Sequence, residues 1–196
     1  MPPSSPRLSL PIRALLTLLV LGGAPACGDQ LVGARPPSQS LNVPWEGRLR
    51  ELFDDDIEAA SAGVSIETGL PRIDRLTKPR TLEAQFIAKM RVTTITRDQV
   101  GENVDYHVIL APVPPPLLPS RYALGPVELN IRPGDPAFAV VRSLENRMSG
   151  MTFTVFGRRF LGKGGELDVH VHLAPSTVDV EGYVRDTIQL REVSVP

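Results

Sequence analysis

The sequence predicts an α+β domain built on a mostly antiparallel sheet of five strands, and three observations carry that prediction. Apolar residues recur at every second position at Phe86, Ala88, Met90 and Val92, at Val104, Tyr106, Val108 and Leu110, and most clearly at Leu167, Val169, Val171 and Leu173. This is the period of strands with one buried face. Two glycine-bearing stretches, Arg97 to Asn103 with Gly101 and the run Gly162-Lys163-Gly164-Gly165, have hairpin lengths and separate strands that are neighbours in the chain. Segments with helical spacing precede, interrupt and follow the strands instead of alternating with each of them, which points away from a parallel doubly wound sheet.

Taken in order, Trp45, Leu49, Leu52, Phe53 and Ile57 mark one face of a helix opening at Pro44 and ending at Asp54-Asp55-Asp56, where three like charges are unfavourable. The strands at 86–92 and 104–110 follow as a hairpin. Pro112 to Pro119 reads as a rigid surface connection, because proline lacks the donor a central strand needs. Val127, Leu129 and Ile131 give a third strand, stopped by Pro133-Gly134. Asp135-Pro136 then has the form of an N-cap and first helical residue, and Phe138, Val141, Leu144 and Met148 continue a helix from 136 to about 147. Met151, Phe153 and Val155, running toward Phe160, make the fourth strand, and 167–173 the fifth. Ser176-Thr177-Val178-Asp179 has the form of a capping box, with Val180, Val184 and Ile188 on the buried side of a terminal helix. Five strands of this length suit a small, partly open barrel of the OB type.

The chain has 196 residues, 42% of them hydrophobic, with 21 Lys and Arg against 22 Asp and Glu. One domain of ordinary size fits this length, and the even charge balance disfavours nucleic-acid binding. Gly157 to Gly164 matches seven positions of a phosphate-binding loop, but Gly164 stands where Ser or Thr must hold magnesium and a strand pattern follows where a helix is required. Nucleotide binding is therefore not expected. Asp54, Asp55, Asp56 and Glu58 lack calcium-loop spacing, with Ala59 and Ser65 at the positions of the turn glycine and the bidentate glutamate. They read as a solvated acidic helix end. No Gly-x-Ser-x-Gly elbow is present.

The amino terminus carries Arg7 and Arg13, then an eight-residue core from Ala14 to Leu21, then small residues up to Ala26. That order is the order of a secretory leader, and the core is too short to span a bilayer, which takes about 20 apolar residues. Cys27 is the single cysteine, so an exported form has no internal disulfide. Gly23-Ala24-Pro25-Ala26-Cys27 resembles the lipobox of bacterial lipoproteins, with Ala24 where that family favours leucine. The resemblance covers the leader alone and implies that Cys27 is acylated and becomes the first residue of the mature protein. Ala24-Pro25-Ala26 also suits ordinary signal cleavage, which would release a soluble periplasmic or secreted protein. On the first reading residues 1–26 are the signal peptide, 27–44 a polar tether reaching about 50 Å if extended, and 45–196 one globular domain. Removing 1–26 takes away two bases and no acid, which shifts the net charge from −1 to −3.

The expected function is that of a lipid-anchored envelope protein, a non-enzymatic binding or structural module for a protein or glycan partner. The alternative is a metal-binding protein or metal-dependent enzyme. Asp168, His170 and His172 alternate with the aliphatic residues of the fifth strand and share one face, with the two histidines about 7 Å apart. With His107 from another strand they would offer nitrogen and oxygen ligands to zinc or a similar divalent ion. The competing expectation is a solvated sheet face on which Val169 and Val171 are buried and His170 is exposed.

Overall fold

The computed structural model describes residues 43–62, 73–120 and 124–193. The leader, Cys27 and most of the tether lie outside them. The alternating segments at 86–92 and 104–110 are the paired centres of two long strands, β1 (Phe86–Val100) and β2 (Asn103–Leu118). Gly101, at φ 63, closes the hairpin in a conformation that favours glycine. β3 (Val127–Ile131), β4 (Thr152–Leu161) and β5 (Leu167–Pro175) complete one antiparallel sheet of order β3-β2-β1-β4-β5. The α+β class and the five antiparallel strands agree with the sequence pattern, but the sheet is open and no barrel of the OB type forms. Part of the β5 edge that closure would use is occupied elsewhere. Along the outer edge of β5, Val171 accepts from the Asp55 N–H, Leu173 N–H donates to Asp56, and Glu58 N–H donates to Leu173, so residues 55–58 run beside β5 as a short parallel edge.

Four helices flank the sheet, α1 (Gly47–Leu52), α2 (Thr77–Glu83), α3 (Phe138–Met148) and α4 (Val178–Val193). α1 is shorter than the expected 44–54 helix, since Ile57 is held by its bridge to Leu173 and not by a helical turn. α3 starts two residues later than expected, because Asp135 spends its carboxylate on the Arg132 N–H in the preceding turn. α4 is capped by the Thr177 hydroxyl, which accepts from the Val180 N–H at 3.3 Å. α2 had no counterpart in the sequence reading: its buried residues are Thr77, Arg80 and Thr81, so it has no apolar stripe to reveal it. The proline run is a second correction. β2 continues through Pro112 to Leu118 with β1 as its strand neighbour there, and Pro114–Pro116 fall in the register shift between the Lys89–Val113 and Ile87–Leu118 pairs, where no ladder partner among the described residues calls for their missing donors. Val43 also belongs to the domain, since its carbonyl accepts the Leu161 N–H at 3.0 Å.

The helices cover both faces of the sheet. On one face Met90, Val108, Leu129, Val155 and Leu173 pack with Val141, Leu144 and Met148 of α3 in an apolar core. On the other, Ile87, Phe156 and Phe160 meet Leu52 and Phe53 beside α1 and Val180 and Val184 of α4. The face carrying Asp168, His170 and His172 is this second one, so it is not the solvated face the alternation suggested. Among the described residues no helix is long and apolar enough to cross a membrane.

Candidate functional site

Antiparallel pairing places His172 opposite Phe156, His170 opposite Arg158 and Asp168 opposite Phe160. The turn after α1 crosses this part of β5 and delivers the acidic run to it. His172, with 3% of its side chain exposed, has Nδ1 2.8 Å from Asp54 Oδ1 and Nε2 3.1 Å from Glu58 Oε1. Two carboxylates facing both ring nitrogens favour a proton on each. Burial opposes the charged ring, yet the bonds to Asp54 and Glu58 outweigh it and hold His172 above its ordinary value. Asp54 shows the complement: burial pushes it up, but the His172 bond and charge win and leave it below the usual carboxylate range. Burial raises Asp56, helped by the Asp54 charge beside it.

Arg80 completes the cluster from α2. Its side chain is 3% exposed, Nε donates to the Leu52 carbonyl at 3.0 Å, and its guanidinium bonds to Asp74 while lying 3.7 Å from Glu58 and 3.9 Å from Asp54. Three carboxylates thus surround two buried cations. Arg158, also buried, donates to the backbone and carboxylate of Glu83 at 3.0 and 2.8 Å. These bonds fasten α2 and the acidic turn to the β4–β5 pair, so the polar side chains occupy positions that an apolar layer fills on the opposite face.

His170 has a different environment. Its Nδ1 lies 2.7 Å from Asp55 Oδ2, and its ring stacks on Trp45 at 3.6 Å with 6° between the planes. The Trp45 indole N–H donates to the Phe53 carbonyl at 2.7 Å, which fixes that ring. Asp55 stands at φ 55, uncommon for a residue with a Cβ, and is held there by its own N–H on Val171 and its Oδ1 on the Val171 N–H. One residue therefore replaces a strand partner and orients an imidazole.

The four residues expected to share an ion are not gathered at one point. His107 lies on β2, three strands from β5 or about 14 Å across the sheet, and faces Glu128 at 3.4 Å. Asp168 is exposed at the open end of β5. His170 and His172 are drawn to different carboxylates. Among the described residues, the groups whose ligand atoms do converge, within 4.8 Å, are Glu58, Asp74 and His172. An ion there would need a neutral imidazole and the space now held by the Arg80 guanidinium, so the donor set as folded suits an internal cation better than a metal. The acidic run that read as a solvated helix end is thus the partner of the histidines. Sequence reasoning missed Arg80, Asp74 and Trp45 because their roles depend on contacts across distant parts of the chain.

Beside this cluster lies a cleft of about 1020 Å³, which opens between the two edges of the sheet. Residues 126–131 line it consecutively along β3, and residues 168–170 along β5, with Trp45 near one end. Consecutive residues of a strand point to opposite faces, so a wall made of every residue in a run is the strand's backbone edge. The volume reaches the upper end of ordinary ligand sites, about 300 to 1,000 Å³. Comparison with known protein families, with curated proteins and with solved structures finds no match to this chain, so its geometry carries the functional argument.

Proposed function

We propose that this chain is an exported protein, held on a bacterial membrane by a lipid on Cys27, whose domain acts as a non-enzymatic binding module for a partner in the cell envelope. The leader and the lone cysteine supply the address. One structural observation supports the binding role: the cleft between β3 and β5 borders exposed backbone, while the imidazole of His172 is engaged on both nitrogens by its own chain. A buried imidazole that faces a carboxylate of its own chain at each nitrogen offers neither nitrogen to a substrate or an ion. It ties the acidic turn to the sheet and so shapes one end of the cleft.

The anchor is tested by phase partitioning in detergent and by mass spectrometry of the mature amino terminus. Wild-type protein should enter the detergent phase with acylated Cys27, and Cys27→Ala should move it to the aqueous phase. An aqueous wild type cut after Ala26, with an unmodified thiol, would establish the soluble form instead. The metal reading keeps one favourable observation, the convergence of Glu58, Asp74 and His172. Equilibrium dialysis against zinc tests it directly, since retention of one equivalent would require Arg80 to give way.

A further inference from the structure

The cleft has the polarity of a missing strand. On the side facing the α3 core, β3 presents Val127, Leu129 and Ile131, and β5 presents Val169, which is 40% exposed. On the opposite side, β3 presents Glu128 and Asn130, and β5 presents Asp168 and His170. Backbone groups are available as well. Residues 55–58 take up the outward N–H and C=O groups of Val171 and Leu173, and Val169 is next in that alternation, with its groups directed the same way and no described residue continuing the pairing to it. β3 has β2 on one side and the cleft on the other. Charge then selects among strands. Asp54 and Asp55 are satisfied by the histidines, which leaves Glu51 and Asp168 along the cleft against Arg50, together with Glu128, which is 61% exposed beside His107, and Asp135, which also accepts the Arg132 N–H.

From this we infer that the cleft binds an extended basic peptide segment, in which apolar residues alternate with Lys or Arg, as an added strand along β3. The inference rests on the reading of the domain as a binding module and names the ligand class of its site. Apolar side chains of the added strand turn inward beside Val169 and Leu129, the Lys or Arg side chains turn outward toward Asp168 and Glu128, and its backbone continues the ladder. A second copy of this chain fits less well, because pairing β3 with β3 would bring Glu128 toward its own counterpart.

The full chain, purified in neutral detergent, should be titrated with the acetylated and amidated peptide Val-Lys-Val-Lys-Val-Lys-Val. Trp45, the sole tryptophan and a cleft residue, reports occupancy by its fluorescence. Saturable binding that weakens with salt is expected. Glutamate in place of the peptide's lysines should abolish it, and Glu128→Lys or Asp168→Lys in the protein should weaken it about tenfold each, roughly one charge contact apiece. Methylating the backbone nitrogens of either alternate set, tested as two peptides, distinguishes ladder pairing from charge alone: one of the two must lose at least about tenfold, equivalent to one hydrogen bond of roughly 1.4 kcal/mol. Absence of binding overturns the inference, as does equal binding of both methylated peptides or of spermine, which would mark a mere cation site. A dimer in sedimentation that Glu128→Lys alters, without peptide binding, would make the second copy the occupant and likewise overturn it. None of these failures affects the partitioning of Cys27→Ala, so the anchor and the ligand stand or fall separately.

Discussion

The two faces of the sheet are held by different physics. Under α3 the interface is largely apolar, with Val141, Leu144 and Met148 set against apolar residues of all five strands and a polar contact from the Tyr106 hydroxyl to Glu145 at 3.3 Å. Under α1, α2 and α4 a smaller set of apolar contacts shares its space with His172, Arg80, Arg158 and Thr154, each of them buried. Apolar area is non-directional and indifferent to pH, whereas buried ions are tolerated only with every partner in place. The first face therefore supplies adhesion that survives small changes. The second fixes one arrangement of the acidic turn, α2 and the β5 edge, and with it the form of the cleft.

The largest separation between the faces should come from Arg80→Ala. It leaves Asp74, Glu58 and Asp54 beside His172 as the sole buried cation of their cluster, and the loss should be about 3–5 kcal/mol in urea unfolding, as expected when one member of a buried ionic group is removed. Adding zinc to this variant sharpens the point, because with the guanidinium gone Glu58, Asp74 and His172 can hold an ion and recover part of the stability. If Arg80→Ala unfolds at wild-type urea concentration, the ionic account of this face is wrong.

Leu144→Ala probes the apolar face. Truncating a leucine that is 3% exposed should cost about 2–5 kcal/mol. The cost should be the same at pH 5 and pH 8, since no titrating group of the histidine cluster touches that core. A strongly pH-dependent cost would show the two faces to be coupled.

The third effect is smaller and has a sign. His172 is raised in the folded protein, so its protonation contributes stability that is complete below its unfolded value near 6.5 and is lost as pH rises through the folded value. Wild-type stability should fall above pH 6.5 by up to about 1.4 kcal/mol per pH unit until that titration ends, and His172→Gln should flatten the slope. Asp54 works at the other end: its lowered value contributes stability above 3.8 that is lost as pH falls through the folded value. Chemical denaturation across pH 2 to 9 checks both limbs, and an unchanged slope in His172→Gln would remove His172 from the explanation.

How much of this was legible depends on the range of the interactions concerned. Strand alternation at 86–92 and 104–110, the turn at Gly101 and the faces of α3 and α4 are local patterns, and the structure reproduces them; at 167–173 the strand forms but the expected burial does not hold, since Leu167 is exposed, His172 is buried and His170 is largely covered. Val171 is fully buried as the register required, while Val169, two residues earlier on the same face, is 40% exposed because β5 there has run past the core and onto the cleft. α2 escaped notice because Arg80 is its main buried anchor, and an arginine in a polar segment carries no periodic signal. Pro112–Leu118 was misjudged because proline is forbidden in a strand only where a neighbour needs its donor, and which strand lies alongside is not a property of the local sequence.

By itself, then, the sequence determined the centres of all five strands and three of the four helices, where the hairpins turn, that the sheet is antiparallel, and that Asp168, His170 and His172 share a face, but not α2 or the proline-rich half of β2. These follow from side-chain period and backbone chirality, which act over a few residues. Only the tertiary structure decided that this face is covered, that Asp54 and Glu58 enclose His172 and Asp55 holds His170 across more than a hundred positions of chain, that Arg80 balances the cluster, and that the sheet stays open between β3 and β5. The physical reason is that burial and ion pairing depend on distance in space, and an acidic triplet has the same sequence whether it ends in water or against two imidazoles.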